Sequence, residues 1–210
     1  DDNTKVTLRL TAKAKNGCKD DVKTVDFQTI EDPVAQFAEV LPGCAPYSVT
    51  FNNTSTPATG LNYLWDFGDG TTSSEKNPTK VFANDNPTAE RMYKVKLTVT
   101  AGTGCSNTFE RDITVRPTPR VEFTWPQGEE ICGPNAQIVI SNTSQAFGTA
   151  TYQWSVAPAT GVTISNATAQ NPTITFPDNQ TGADVAYQIT LKVTSGDGCP
   201  AELTKQVTVN

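Results

Sequence analysis

Asp66 and Asp69 stand three positions apart in YLWDFGDGTT (63–72), with Gly68 and Gly70 interleaved. Two carboxylates at this spacing could do three kinds of chemistry. They could be the acid and base of a glycosidase, give oxygen ligands to a hard cation such as calcium, or accept hydrogen bonds from the N–H groups of a tight turn. The rest of the chain offers little else of this kind. It has no histidine, which excludes Ser-His and Cys-His nucleophiles and leaves zinc almost without ligands. No phosphate-cradling Gly-rich loop leads into a helix.

The elements that must hold these aspartates are strands. Leu61, Tyr63, Trp65 and Phe67 share one face of an alternating run whose other face carries Asn62, Leu64 and Asp66. The run ends at Gly68, Asp69-Gly70 supplies the positive φ of a tight hairpin, and TTSS returns. The same alternation recurs at Tyr93, Val95, Leu97, Val99 and at Tyr187, Ile189, Leu191, Val193. Thr, Asn, Val, Pro and Gly dominate, and the chain reads as all-β. A net charge of −6 gives no basic footprint, so nucleic acid is not an expected partner. The segment has neither an apolar run of membrane-spanning length nor a charged-then-apolar leader, so no membrane insertion is expected here; a leader or anchor would belong to a longer parent.

The sequence also repeats. YKVKLTVTAGTGC (93–105) matches YQITLKVTSGDGC (187–199) at an offset of 94, and VTLRLTAKAKNGC (6–18) matches the first at an offset of 87. GCAPYSVTFNNTS (43–55) corresponds to CGPNAQIVISNTS (132–144), and NPTKVF (77–82) to NPTITF (171–176). The expected organisation is 1–30 as the last two strands of a preceding repeat, then units 31–117 and 118–210, joined at the Pro-bearing IEDPV and RPTPR. Each full unit has one cysteine near its second strand (Cys44, Cys132) and one in its last hairpin (Cys105, Cys199). The matching positions predict bridges Cys44–Cys105 and Cys132–Cys199 within units, with Cys18 paired upstream. Such bridges place the protein outside the cytosol.

YLWDFGDGTTSSEKNPTKVF followed by YKVKLTVT resembles the PKD (polycystic kidney disease) domain in motif order and spacing. The likeness covers 31–117 strongly and reaches 118–210 with a weakened motif, YQWSVAPATG (152–161), which keeps Tyr152 and Trp154 but neither aspartate. The placed Gly-Cys pairs further resemble the PKD-like repeats of very large surface proteins in gliding and gut-type Bacteroidota. The resemblance implies tandem immunoglobulin-like β-sandwiches of about seven strands. It also implies a non-catalytic extracellular role in a surface filament, stalk or adhesin, of gliding motility or cell adhesion. An alternative is an accessory or carbohydrate-binding spacer module of a secreted hydrolase. The partners then expected are neighbouring repeats of the same polypeptide and a surface polysaccharide or another cell-surface protein.

Trp65, Trp154, Tyr93 and Tyr187 are expected in the cores, and Asp66, Gly68, Asp69 and Gly70 as a turn. Because the second unit keeps the fold signature without the aspartates, catalysis is disfavoured. Calcium at Asp66 and Asp69 is the minor alternative, since some PKD domains bind it but the D-x-D-x-D-G spacing is absent. Trp125, in VEFTWPQG, is expected to pack in an interface or core in preference to binding a ligand. NNTS and SNTS read as strand-end turns more simply than as glycan acceptors. An isolated hairpin over 1–30 would be marginal in water, so strands upstream, or a neighbouring chain completed by strand addition, should cover it.

Overall fold

The computed structural model describes residues 5–15, 19–28, 32–126, 128–133, 135–180 and 182–210. Among these the regular structure is all β, and no helix is long and apolar enough to cross a membrane. Strands β1 (Lys5–Ala12) and β2 (Asp21–Gln28) form an antiparallel two-stranded sheet. Its apolar residues Val6, Leu8, Leu10, Val22, Val25 and Phe27 are exposed by 41–72%. Residues 6, 8 and 10 align in sequence with Tyr93, Val95 and Leu97, which are buried.

Next come β3 (Gly43–Cys44), β4 (Tyr47–Thr50), β5 (Leu61–Asp66), β6 (Thr72–Ser73), β7 (Thr79–Phe82), β8 (Arg91–Ala101) and β9 (Ser106–Arg116). They form a five-stranded sheet in the order β3-β9-β8-β5-β6 and a two-stranded sheet β4-β7. The chain then continues through β10 (Phe123–Thr124), β11 (Glu130–Ile131), β12 (Gln137–Val139), β13 (Ser141–Asn142), β14 (Thr151–Ala157), β15 (Thr163–Ile164), β16 (Thr173–Thr175), β17 (Val185–Thr194) and β18 (Pro200–Val209). Their sheets run β11-β18-β17-β14, β12-β16-β15 and β10-β13. Short, mostly antiparallel strands with one buried face, the parallel pairs β3–β9 and β11–β18 excepted, fit the immunoglobulin-like sandwich plan.

Alternation on the long strands builds the cores. In β8, Tyr93, Val95, Leu97 and Val99 are buried, and in β17, Tyr187, Ile189, Leu191 and Val193. Trp65 on β5 has no exposed surface; its ring lies 5.0 Å from Phe37 and 5.1 Å from Phe51, and its indole N–H donates to the Glu75 carbonyl at 2.9 Å. Trp154 on β14 meets Phe123 edge-on at 5.0 Å and donates to the Ala169 carbonyl at 2.9 Å. Tyr93 meets Phe82 at a tilt, 4.8 Å between ring centres, and Tyr187 meets Phe176 likewise at 4.9 Å.

The internal repeat shows in matching side-chain hydrogen bonds. The Asn53 and Asn142 N–H groups donate to the side chains of Asn77 and Asn171, both at 2.9 Å. Their own Oδ1 atoms accept from the N–H groups of Ser55 and Ser144, so these two buried asparagines serve as turns. The Asn84 amide bridges the Ala89 and Val115 carbonyls as the Asn179 amide bridges those of Ala183 and Val209. Side-chain to backbone bonds of this kind satisfy groups that the short strands leave without ladder partners.

By contact the described residues fall into two compact units that interleave along the chain. One comprises those up to Glu39 with Thr50–Pro78 and Lys94–Arg111; the other comprises Val40–Val49, Thr79–Tyr93 and Asp112–Asn210.

Candidate functional site

The Asp66/Asp69 motif forms a closed turn. Asp66 ends β5 and its Oδ1 accepts the Gly68 N–H at 2.9 Å. Asp69 Oδ1 accepts both the N–H of Thr71, at 3.0 Å, and its hydroxyl, at 2.6 Å. The Phe67 N–H closes the loop on the Thr71 carbonyl at 3.1 Å, so that β6 returns beside β5 with Trp65 opposite Ser73. Gly68 has φ +74°, and a Cβ there would lie 2.6 Å from the Lys94 carbonyl oxygen. Among the described residues no three of the acidic, cysteine or histidine side chains gather as a metal-holding group. What this arrangement does chemically is satisfy turn N–H groups with carboxylate oxygens.

The cysteines pair otherwise than their repeat positions suggest. Cys44 is bonded to Cys199, with the Cα atoms 5.6 Å apart, while Cys105 and Cys132 are free and exposed. The expected Cys44–Cys105 and Cys132–Cys199 bridges are therefore corrected, and strand length is the reason. Cys44 pairs in parallel register with Arg116 at the end of β9, whereas Cys105 immediately precedes the start of that strand at Ser106. Eleven residues of extended chain separate the two ends by about 35 Å, and a disulfide needs Cα atoms within about 7 Å. Cys132 and Cys199 are likewise at opposite ends of β18, because Cys132 follows Ile131, which pairs with Val209. The sequence shows that each hairpin cysteine opens a long strand, but the parallel pairing that puts the other cysteine beside its far end is seen only in the structure. Cys18 lies outside the described residues.

Polar groups surround the Cys44–Cys199 bond. The Arg116 guanidinium donates to the Asp197 carbonyl at 3.4 Å, and the Ser195 hydroxyl donates to the Cys199 carbonyl while accepting its N–H, both at 3.0 Å. Gly43 precedes Cys44 because a Cβ there would fall 2.3 Å from the Tyr47 ring, whose hydroxyl is bonded to the Leu41 carbonyl.

Trp125 packs partly against the second core, 6.0 Å from the Phe123 ring, and its indole N–H donates to the Gly128 carbonyl. It also lines an open cavity of about 440 Å³ with Glu129, Lys205, Gln206 and Thr208. The Lys205 ammonium lies 5.3 Å from the Phe123 ring centre, donates to the Phe123 carbonyl at 2.7 Å, and is paired with the Glu122 carboxylate. The hydrogen bond from Lys205 is the main cause holding the Glu122 carboxyl below its ordinary pKa. Alternation of the strand sequence alone does not reveal this cavity, because its wall combines β10 with the far end of β18.

The family model described as PKD domain matches residues 30–116. Over 116 residues the chain is 33% identical to collagenase ColA of Bacillus cereus, a match covering 55% of this chain and 11% of that protein. It is 40% identical to the PKD1 domain of the Vibrio cholerae metalloprotease PrtV, covering 40% of this chain and 98% of that structure, with a TM-score of 0.33. The eight N-terminal immunoglobulin domains of Down Syndrome Cell Adhesion Molecule are 14% identical and align over the whole chain and 28% of theirs, with a TM-score of 0.51, a likeness of fold alone. The chain thus spans about a tenth of the collagenase it matches. The W-D-F-G-D-G turn and the buried β5 tryptophan both lie within residues 30–116, the part of the chain that the PKD domain model matches.

Proposed function

We propose that this chain is a non-catalytic extracellular spacer, a run of PKD-type repeats (31–117 and 118–210, with 1–30 closing a preceding one) in a surface filament, stalk or adhesin. The observation that carries this reading is the Cys44–Cys199 bond, between cysteines 155 residues apart that fall in successive repeats of the organisation proposed here. A disulfide inside a repeat would stabilise that repeat alone; one between repeats resists pulling along the array. Such a bond persists in an oxidising compartment, in keeping with an extracellular or cell-surface location. Gliding motility or cell adhesion is the finer role that suits such an array. Small-angle scattering of the chain with and without reductant tests it: an extended particle that loosens on reduction is expected. A particle whose repeats fold back on each other, unchanged by reduction, would refute the spacer.

A second reading, an accessory module of a secreted hydrolase, is favoured by the Trp125 cavity and by the collagenase and metalloprotease among the relatives. An aromatic wall beside a carboxylate, an amide and a hydroxyl suits a sugar ring. Glycan-array binding abolished by Trp125→Ala, with folding intact, would establish this reading; an array without binding would remove it.

A further inference from the structure

We infer that Cys132 and Cys105 are the two halves of a repeating staple, in which the strand-edge cysteine of each repeat bonds the hairpin-tip cysteine of the repeat that follows. This rests on the tandem-repeat reading above. Cys132 then takes the tip thiol of the next repeat in line, and Cys105 is the tip offered to the repeat before.

The positional equivalence is structural. Gly43 and Cys44 lie parallel to Val115 and Arg116, and the Ala45 N–H donates to the Arg116 carbonyl at 3.0 Å. Glu130 and Ile131 lie parallel to Thr208 and Val209, and the Asn210 N–H donates to the Ile131 carbonyl at 3.0 Å. Cys132 therefore occupies beside Asn210 the place that Cys44 occupies beside Arg116. At the tips, the Ala101 N–H donates to the Cys105 carbonyl and the Gly104 N–H to the Ala101 carbonyl, both at 2.9 Å. Ser195, Cys199 and Gly198 make the same two bonds at 3.0 Å, and Gly104 and Gly198 share φ values of +90° and +89°.

One edge cysteine, Cys44, already holds one tip cysteine, Cys199, of the following repeat. Among the described residues the cysteines left free are one tip and one edge, both exposed. Each repeat thus has a cysteine at each end of its last strand, an arrangement that can propagate head to tail. Cys132 also borders an open cavity of about 310 Å³ with Glu130, Ile131, Ala136 and Gln137. The free tip of this kind, Gly-Thr-Gly-Cys (102–105), carries little side-chain bulk.

The chemistry is thiol–disulfide exchange. A tip thiol and an edge thiol together lose two protons and two electrons and form one Sγ–Sγ bond; a disulfide oxidant accepts both electrons and leaves as two thiols. The tip thiol could come from a further repeat of the same polypeptide or from Cys105 of a second copy.

Non-reducing peptide mapping of the secreted protein, with free thiols alkylated before digestion, distinguishes the sources. A Cys132 peptide joined to a tip sequence outside this chain assigns a further repeat. One joined to the Cys105 peptide in a species of at least twice the chain mass assigns a second copy. In a parallel arm the isolated chain, with Cys18→Ser throughout, is exposed to glutathione disulfide as Cys105→Ser mixed with Cys132→Ser. The mixture is expected to give a Cys132–Cys105 cross-linked dimer, largely lost with either variant alone. Alkylated Cys105 and Cys132 in the secreted protein would overturn the staple, as would Cys44–Cys105 or Cys132–Cys199 peptides. Alkylated thiols together with an extended scattering profile would remove the staple and leave the spacer reading standing.

Discussion

Replacing Asp69 by asparagine and by alanine separates a turn from a metal site. Asp69 Oδ1 accepts two hydrogen bonds from Thr71, at 3.0 and 2.6 Å, on an exposed hairpin. Each such bond contributes about 0.5–1.5 kcal/mol net, so Asp69→Ala should destabilise by about 1–3 kcal/mol. For a domain of this size each kcal/mol corresponds to a fall of roughly 4–8 °C in the melting temperature. Asp69→Asn keeps a carbonyl oxygen at the same place and loses only the charge, and should fall by no more than about 0.5 kcal/mol. Thermal unfolding of wild type and both variants, with calcium and with a chelator, reads this directly. A turn predicts the alanine variant well below the asparagine variant, with all three indifferent to calcium. If chelation lowers the wild-type transition, and asparagine is as damaging as alanine, the carboxylate charge is holding a cation and the turn account is wrong.

Gly68→Ala should cost more than Gly70→Ala. Both sites have positive φ, worth about 1–2 kcal/mol against a side chain, but a Cβ at Gly68 also meets the Lys94 carbonyl at 2.6 Å, while Gly70 faces open space. Equal losses in chemical denaturation would dismiss the close approach to β8. The Glu122–Lys205 pair predicts a pH dependence. Lys205 depresses the folded-state pKa of Glu122 below its ordinary value of 4.5, so the pair's stabilisation is present above that value and lost as pH falls through the lowered folded pKa. Glu122→Gln should be less stable than wild type at neutral pH and converge with it in acid, by urea unfolding; a gap that persisted in acid would assign the loss to something other than the charge.

The strands were legible because burial of one face imposes a two-residue period, and Trp65, Tyr93, Trp154 and Tyr187 fall on the apolar phase of it. The turn was legible for a local reason too: an Asp two residues ahead of a free N–H can bond it whatever the rest of the chain does. Trp125 was only half legible. Its bulk pointed to packing, and it does pack, but the cavity beside it depends on Lys205, Gln206 and Thr208, some eighty residues further along.

By itself the sequence determined the all-β plan, the repeat, and the place of each cysteine within its repeat, since all three follow from short-range patterns copied at a fixed offset. Only the tertiary structure decided which cysteine meets which. A periodic sequence treats a partner in the same copy and the equivalent residue in the next copy alike, because translation by one repeat leaves the pattern unchanged. A disulfide does not, since it forms only where two Cα atoms come within a few ångströms. The length of β9 and β18 separates the cysteines of one repeat and leaves Cys44 to bond Cys199 of the next.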